Sequence, residues 1–244
     1  MTIFKAALAA TLFLSTAVPA AAIVGGEDAP ELDPHLVMIV SDRGGFCSGV
    51  VVSRRAVLTA AHCVTTPGAA YRLHWRDAAS GAPVMVEPER VIPHPRYRKD
   101  AEKTRVPSVD LAIVRSKEPL PARFLPARLG GTGTPVPDKD ALLRVAGYGL
   151  SLEWDGSTGG RLRSVALPVI TPHSPGRVLV WLSGKQGSGA CQGDSGGAIL
   201  DPAGTVVAVT AWAEGSGGRR CGAITQGVLV APERAWIDAT IAAR

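Results

Sequence analysis

Residues 35–64 read HLVMIVSDRGGFCSGVVVSRRAVLTAAHCV, and this stretch decides the fold class. Short runs rich in β-branched residues alternate there with turn-forming residues such as those at 42–45. Short apolar runs bounded by such residues predict β-strands that are joined by tight turns.

The same pattern continues through most of the chain. Further short apolar runs lie at 84–92, 110–114, 142–150, 177–182, 205–212 and 226–231. The 28 glycines and 19 prolines supply breaks between them. Many short strands separated by turns are typical of an all-β barrel or sandwich. Residues 117–140 read as a connection between two halves, and the apolar spacing near the carboxyl end predicts one short terminal helix.

The first 22 residues have the layout of a secretory signal peptide. Lys5 precedes an apolar run at 6–18, and small residues follow at Ala20–Ala22. This order matches a charged segment, an apolar segment and a cleavage site. The apolar run is short for a transmembrane helix, so a membrane anchor is the weaker interpretation. We therefore expect residues 1–22 to be a signal peptide and 23–244 to be a secreted or periplasmic domain.

Charge gives little support for a nucleic-acid partner. The formal net charge of +5 is spread along the chain, and basic patches interleaved with aromatic residues are missing. A basic solvent-exposed surface explains the charge, and no membrane association is expected once the signal is removed.

All four cysteines, Cys47, Cys63, Cys191 and Cys221, lie beyond the signal segment. An even number of cysteines in an exported chain predicts two disulfides, with three possible pairings. A zinc site is the alternative, but the chain has no C-x-x-C spacing and its five histidines are scattered. Disulfides are the preferred interpretation.

Three residues have the chemistry of a nucleophilic hydrolase. Ser195 lies in the glycine-rich stretch GACQGDSGG at 189–197, His62 follows a strand pattern, and Asp110 begins the run DLAIV. A serine hydroxyl is a weak nucleophile until a base takes its proton, and histidine suits that task near neutral pH. The histidine needs a carboxylate that fixes its tautomer and stabilises its cation.

Each of the three residues also has a purely structural interpretation, as a surface histidine, a turn aspartate or a hairpin turn. The catalytic interpretations are linked, because the nucleophile requires both partners. The chain order His62, Asp110, Ser195 differs from the Ser-Asp-His order of α/β-hydrolases and the Asp-His-Ser order of subtilisins.

Four motifs in this order resemble the trypsin/chymotrypsin family of serine proteases. They are IVGG at 23–26, LTAAHC at 58–63, DLAIV at 110–114 and GDSGG at 193–197. The resemblance covers essentially all of the chain after the signal segment. It implies an all-β fold of two six-stranded antiparallel β-barrels with a short C-terminal helix. The first barrel would span about 23–125, the second about 135–232 and the helix about 232–243.

The resemblance also implies roles for individual residues in the cleft between the barrels. His62 and Asp110 would come from the first barrel and Ser195 from the second. The amides of Gly193 and Ser195 would form an oxyanion hole. The implied disulfides are Cys47–Cys63 and Cys191–Cys221.

Asp194, beside the candidate nucleophile, has an implied structural role. In the family a free amino terminus, here that of Ile23, turns inward and pairs with this carboxylate. The pair would hold the serine turn in shape, because a buried carboxylate without a cation is costly. The predicted cleavage site after Ala22 directly precedes Ile23, so we expect signal removal itself to create the amino group.

The implied specificity pocket is formed by Gly189, Ala190, Ala213 and Gly227. Trypsins carry an aspartate at the position of Gly189, so cleavage after Lys or Arg is not expected. The small lining favours an apolar residue of small to medium size at P1, the residue before the scissile bond. Arg219 and Arg220 leave an alternative open, in which an inward-turned arginine selects an acidic P1 residue.

Three positions depart from the family pattern. Ala211 replaces a serine that donates to the buried aspartate, so Asp110 loses one hydrogen bond. Ala198 replaces a common proline, and the segment 213–220 is longer than usual. Some relatives bind calcium, but Glu87 and Glu89 alone do not supply the roughly six or more oxygens that calcium prefers.

The sequence therefore predicts a monomeric serine endopeptidase without a metal or other cofactor. Its partners would be protein or peptide substrates and a proteinaceous inhibitor. The alternative is a catalytically weak or silent homologue that acts as a binding protein, and only Ala211 supports it. An esterase of another fold is disfavoured by the order of the catalytic residues.

Overall fold

The computed structural model describes residues 23–104, 106, 108–171, 178–184 and 187–243. The predicted signal peptide at 1–22 lies outside these residues. The regular structure is mainly β-strand and forms two antiparallel sheets. Within the described part of the chain, no helix combines the length and the apolar character needed to cross a membrane.

The first sheet comes from the amino-terminal half of the chain. A two-residue strand, β1 (Glu27–Asp28), precedes it. The strands of the first sheet are β2 (Leu36–Ser41), β3 (Phe46–Ser53), β4 (Ala56–Thr59), β5 (Tyr71–Arg76), β6 (Pro83–Val86), β7 (Pro88–Pro93) and β8 (Ala112–Ser116). Their spatial order is β6-β5-β2-β3-β4-β8-β7. The stretch 35–64 supplies β2, β3 and β4, as its apolar runs predict.

The second sheet closes on itself. Its strands are β9 (Leu142–Gly147), β10 (Arg163–Thr171), β11 (Leu179–Ser183), β12 (Ala198–Leu200), β13 (Val206–Glu214) and β14 (Ile224–Leu229). β9 pairs with β10 on one side and with β12 on the other, which completes a six-stranded barrel. β1 adds to the outside of this barrel through β10, although it precedes the first sheet in the chain.

The prediction of an all-β fold with two barrel-like halves and a short terminal helix is confirmed. The first half is a curled sheet of seven strands. Its additional strand arises because the extended segment 83–93 is divided at Glu87 into β6 and β7. Pro88, the first residue of β7, has no amide hydrogen to donate, and the register of β7 against β8 shifts between Pro88 and Arg90.

The two halves share one buried cluster. Leu58 and Leu111 from the first half and Tyr148 and Val209 from the second are among its members. The Tyr148 hydroxyl also donates to the carbonyl of Leu36 at 3.1 Å, so a polar bond joins the halves inside this core. This shared core fixes the cleft above it, because close-packed side chains resist relative movement.

The described helices are short, and they connect strands or follow the last strand. Four-residue α1 (Ala101–Thr104) lies between β7 and β8, and α2 (Arg234–Ala242) ends the fold. The 3-10 helices are Pro30–His35, Ala61–Val64, Gly156–Thr158 and Ala231–Glu233. α2 docks through buried Ile237, and Arg115 of β8 donates to the carbonyl of Thr240 in its last turn. Cationic groups stabilise a helix at this end.

Candidate active site

His62 lies in the 3-10 helix Ala61–Val64 that follows β4. The disulfide Cys47–Cys63 ties this short helix to β3. The Thr65 hydroxyl also donates to the Ala61 carbonyl at 2.9 Å. The helix therefore presents the imidazole on a fixed backbone.

Asp110 holds this imidazole through two hydrogen bonds. It lies just before β8, between Val109 and Leu111, which are 2% and 0% exposed. The backbone amide of His62 donates to Asp110 Oδ1 at 2.9 Å, and His62 Nδ1 lies 2.6 Å from Oδ2. Nδ1 is therefore the protonated nitrogen, and Nε2 is left to accept a proton.

The pKa of His62 reflects two opposing effects. Desolvation by the surrounding protein acts to lower it, but the hydrogen bond and the negative charge of Asp110 outweigh this and raise the pKa above its usual value. A raised pKa makes the imidazole a stronger base, as removal of a serine proton requires.

Ser195 lies in the turn that leads into β12 and is half-buried. It lines a cleft of about 240 Å³ together with His62. Its carbonyl accepts the amide of Ser48 at 2.8 Å, which fixes the turn against β3 of the other half. Among the described contacts there is no hydrogen bond between the Ser195 hydroxyl and His62. In enzymes without substrate, catalytic hydrogen bonds are often long and tighten only when substrate binds.

The backbone of the serine turn depends on glycine. Gly193 and Gly196 have φ of 95° and 83°, which residues with a side chain rarely adopt. A Cβ at Gly196 would lie 2.1 Å from both the Ser48 carbonyl oxygen and the Thr59 hydroxyl. The Ser48 hydroxyl donates to the Gly193 carbonyl at 2.8 Å and accepts the Tyr148 amide at 2.9 Å. Ser48 thus supports the turn, and it was not identified from the sequence, where it is one polar residue in a strand.

The amides of Gly193 and Ser195 are the candidates for an oxyanion hole. Neither donates to another group in the described part of the chain, whereas the neighbouring Asp194 amide donates to Cys191 at 3.1 Å and the Gly197 amide to Asp194 at 2.9 Å. Two unpaired amides that are separated by one residue can both donate to an oxygen that becomes negatively charged.

Asp194 turns away from the cleft and is fully buried. Its carboxylate accepts the amides of Gly149 at 2.8 Å and Cys191 at 2.9 Å. Burial raises the pKa of Asp194 to about 7, and these two hydrogen bonds only partly oppose the rise. A Cβ at Gly147 would lie 2.5 Å from this carboxylate, so that position also requires glycine.

Ile23 is fully buried and belongs to the core cluster of the second barrel that also contains Ala190. Its neighbour Val24 accepts the amide of Gly189 at 3.0 Å, so the amino-terminal segment runs along the turn that leads to Ser195. In this chain the nitrogen of Ile23 is an amide joined to Ala22. The ion pairs of the described residues do not include one between Ile23 and Asp194.

The predicted pocket residues fall into two groups. Ala213 lines the cleft, and Gly189 and Ala190 lie directly before its Cys191 wall. A Cβ at Gly227 would lie 2.4 Å from the Ile199 side chain, which belongs to the core of the second barrel. β14 pairs with β11 in regular register from Ile224 to Val228, so Thr225 and Gly227 point to the same face of the strand.

Thr225 lies beside two of the predicted pocket residues, Gly189 and Ala190. It is fully buried, its hydroxyl accepts the Ala190 amide at 2.9 Å, and it would lie 3.1 Å from a Cβ at Gly189. Thr210, which lines the cleft, is also buried, and its hydroxyl has no hydrogen-bond partner among the described residues. Sequence reasoning missed both threonines, because strand register decides which residues face the pocket and the bulge in β13 changes that register.

The two arginines of the long segment 213–220 do not reach the pocket base. Arg220 borders the cleft, but its guanidinium lies 4.8 Å over the exposed Trp154 ring and its amide donates to Glu153 at 2.8 Å. Arg219 is exposed, with Nη1 3.2 Å from the place where a Cβ of Gly187 would lie.

Both pairs of cysteines are joined in the described structure, as Cys47–Cys63 and Cys191–Cys221. The prediction of disulfide bonds is confirmed. The His62 ring lies close to the Cys47–Cys63 sulfurs, in the spacing of a three-ligand metal cluster. Disulfide sulfurs are not thiolates and do not ligate zinc in the usual way, so the chemistry of this set does not fit a metal.

Comparisons with known proteins bear on this site. The trypsin family model matches residues 23–237. Mouse serine protease 56 is 30% identical over 223 residues, which is 80% of this chain and 35% of that protein, so the chain spans about a third of that relative's length. Human kallikrein-15 is 32% identical over 72% of this chain and 74% of its own length.

Among solved structures, mouse neuropsin, described as a serine protease, aligns with a TM-score of 0.71 over 90% of this chain and 100% of its own. The two sequences are 23% identical, so this structural similarity supports a shared fold alone. The family model covers nearly the whole described chain, including the His62–Asp110 pair and the serine turn. The chain belongs to the trypsin family of serine proteases.

Proposed function

We propose that this chain is a secreted or periplasmic serine endopeptidase. The observation that carries the proposal is the pairing of His62 with Asp110 at a cleft that Ser195 also lines. Membership of the trypsin family supports the same reaction class. The protein would act as a monomer on protein or peptide substrates and be open to a proteinaceous inhibitor.

In the proposed reaction the Ser195 hydroxyl oxygen attacks the peptide carbonyl carbon while His62 Nε2 takes its proton. The carbonyl π electrons move to oxygen, and the amides of Gly193 and Ser195 stabilise the resulting oxyanion. Asp110 keeps Nδ1 protonated and stabilises the imidazolium. When the oxyanion collapses, the C–N bond breaks and His62 gives its proton to the leaving amine. His62 then takes a proton from a water molecule as its oxygen attacks the acyl-enzyme ester. The same proton passes to the Ser195 oxygen as the ester C–O bond breaks, which restores the serine hydroxyl and releases the carboxylic acid product.

Activation in this proposal requires a free amino group at Ile23. The buried Asp194 carboxylate has two amide donors and a pKa raised to about 7, so an inward-turned ammonium would stabilise its charged form. Ile23 is already buried beside the serine turn. Release of residues 1–22 would supply the charge.

The pocket supports a preference for small to medium apolar P1 residues. Thr225 is buried beside Gly189 and Ala190, where it would limit the depth available to a longer side chain, and Gly189 supplies no negative charge for Lys or Arg. Ala213 adds a small wall. The arrangement of Arg220 over Trp154 places its charge at the rim, which speaks against an acidic P1 residue at the base.

A covalent serine probe tests the proposal most directly. Protein that begins at Ile23 is treated with a fluorophosphonate, and labelling is located by mass spectrometry beside the matched variant Ser195→Ala. We expect labelling of Ser195 and hydrolysis of short apolar peptides, both lost in the variant. Folded protein that is not labelled, or equal labelling of the variant, would favour a silent homologue that acts by binding.

A further inference from the structure

A second polar cluster lies behind the first sheet, away from the cleft. It consists of His94, Arg96, Glu233 and Trp236, and we call it the Glu233 cluster. The side chains of His94 and Glu233 are each only 4% exposed. A buried charge costs free energy unless it is paired. Neither the proposed reaction nor the activation pair uses the buried carboxylate of Glu233.

The hydrogen bonds of the cluster fix the state of its histidine. The Arg96 amide donates to His94 Nδ1 at 3.1 Å, so that nitrogen is an acceptor and His94 Nε2 carries the hydrogen. Nε2 lies 3.1 Å from Glu233 Oε2, and Arg96 Nη2 pairs with the other carboxylate oxygen. The Trp236 ring meets the imidazole edge-on at 4.5 Å. Burial lowers the pKa of His94, which keeps the ring neutral.

The cluster continues directly into the backbone that carries Asp110. The His94 amide donates to the Leu111 carbonyl at 2.8 Å, and the Val109 amide donates to the Arg96 carbonyl at 3.3 Å. Asp110 is the residue between these two anchored neighbours. Since Glu233 is the N-cap residue of α2, the cluster links the C-terminal helix to the carboxylate that orients His62.

Asp110 depends on this anchoring because its carboxylate has few donors of its own. The position from which a family serine would donate holds Ala211, and within the described residues only the amide and ring of His62 donate to Asp110. The carboxylate is 17% exposed, so packing alone does not fix it. The position of Asp110 therefore depends more strongly on the two backbone hydrogen bonds of its neighbours, Val109 and Leu111.

We infer that the Glu233 cluster positions Asp110, and through it His62, for catalysis. Glu233 and Arg96 act as positioning residues: they touch neither substrate nor the reacting atoms. The inference rests on the proposed function, because it assumes that His62 and Asp110 are catalytic.

The test uses protein that begins at Ile23 and two substitutions in the cluster, Glu233→Gln and Arg96→Met. Gln keeps the shape of Glu233 but removes its charge, and Arg96 is 60% exposed, so Met is tolerated there. The matched control is Arg234→Met. Arg234 is the next residue in α2 and anchors the helix to the Leu129 carbonyl at 3.1 Å, with no contact to the Asp110 segment.

Three quantities are measured: kcat and KM on one apolar peptide, the acidic limb of the pH–rate profile, and the proton NMR signal of His62 Nδ1–H. Small displacements of catalytic groups lower the reaction rate by up to about 100-fold. We therefore expect kcat to fall by about 10-fold in both cluster variants, with KM unchanged. A weaker bond to Asp110 lowers the pKa of His62, so the acidic limb moves to lower pH and the NMR signal moves upfield. The control is expected to lose stability without these changes.

Cluster variants that lose stability but keep kcat, the acidic limb and the NMR signal would overturn the inference. Equal changes in the Arg234→Met control would also overturn it, since they would report general loosening of the helix. The NMR signal separates this failure from failure of the proposed function. It reports the His62–Asp110 bond even if the wild-type protein proves inactive.

Discussion

Thr210 at the cleft and Thr225 beside Ala190 are both buried, but of these two hydroxyls only that of Thr225 has a partner, the amide of Ala190. A buried hydroxyl without a partner costs about 1–3 kcal/mol. A substrate group that reaches Thr210 would recover part of this cost. Thr210 therefore offers the cleft one available hydroxyl.

The first prediction concerns Thr210→Val, which removes the hydroxyl and nearly keeps the shape. Peptides that differ only by Val or Thr at P1 are compared by kcat/KM. We expect the Thr/Val ratio to fall by about 2- to 10-fold in the variant, the value of one neutral hydrogen bond. An Ala peptide serves as the reference for overall activity. An unchanged ratio would show that the hydroxyl does not face the substrate.

The second prediction concerns the catalytic residues themselves. Ser195→Ala and His62→Ala are each expected to lower kcat by several orders of magnitude, because one proton transfer needs both. The double variant should be no slower than the worse single variant. Circular dichroism and thermal unfolding check that all three stay folded. Losses that add in the double variant would contradict a shared step.

At this scale the sequence indicates the proposed catalytic residues more directly than the surroundings of the pocket. His62, Asp110 and Ser195 stand in short motifs whose chemistry is local, and the structure brings all three to one cleft. Thr210 and Thr225 could not be found in this way, because whether a strand residue faces core or cleft depends on register and bulges, which no local motif records, and Gly227 stays a predicted pocket residue.

Among the structural elements, the serine turn is held in place mainly by hydrogen bonds to backbone groups. Gly196 donates its amide to the Thr210 carbonyl at 2.7 Å and has no room for a side chain. Ser48 of β3 bonds the same turn twice, through its amide and its hydroxyl. Strands from both halves therefore determine its shape.

The third prediction compares Gly196→Ala with Gly204→Ala. Both glycines have positive φ, 83° and 74°, so each alanine costs about 1–3 kcal/mol in backbone strain. Nothing lies within 4 Å of a Cβ at Gly204, whereas one at Gly196 would meet two oxygen atoms at 2.1 Å. We expect Gly196→Ala to be clearly the less stable in urea unfolding and to lose activity. Equal losses of stability would show that the turn adapts.

Strands were more predictable than their closure into sheets. The β-branched runs of 35–64 fall on β2, β3 and β4 because local periodicity determines a strand. The pairing of β1 with β10, by contrast, joins Glu27 to Ser164 and depends on contacts distant in sequence. The division of one extended segment at Glu87 could not be foreseen either, since it depends on how β7 aligns with β8.

At the scale of the whole molecule, the site exists only where the two halves meet. His62 and Asp110 come with the first sheet and Ser195 with the second, and the shared core that includes Leu58 and Val209 keeps them together. The sequence could suggest this arrangement only through a family resemblance, because composition and spacing do not say how two sheets dock. The amino-terminal segment adds a second connection, because Val24 pairs with Gly189 in the segment that leads to the serine turn.

The last prediction concerns this segment and compares protein that begins at Ile23 with protein extended by one residue, Ala22. The extended form lacks an ammonium at Ile23, so buried Asp194 keeps a pKa raised to about 7 and favours its protonated form. The folded state then binds a proton that the unfolded state has released. Stability must therefore fall as pH rises from the unfolded value of about 4 to about 7, and it changes little above that.

In the form that begins at Ile23, the ion pair removes this fall. The pair instead raises the pKa of the Ile23 amine above its free value of about 8. The stability it contributes is complete below that value and is lost as pH rises through the raised one. We expect the extended form to be nearly inactive and its melting temperature to drop between pH 4 and pH 7 relative to the Ile23 form.

Asp194→Asn in the extended form is the matched control, because it removes this titrating group and should abolish the part of the pH dependence that distinguishes the extended form from the Ile23 form. Mass spectrometry confirms each terminus, and rates are compared on one apolar peptide. Equal rates and parallel melting curves for the two forms would refute an amino-terminal switch. Inactivity of the extended form without the pH-dependent loss would show that the extra residue blocks the site by its bulk, and that the charge of Asp194 is not the cause.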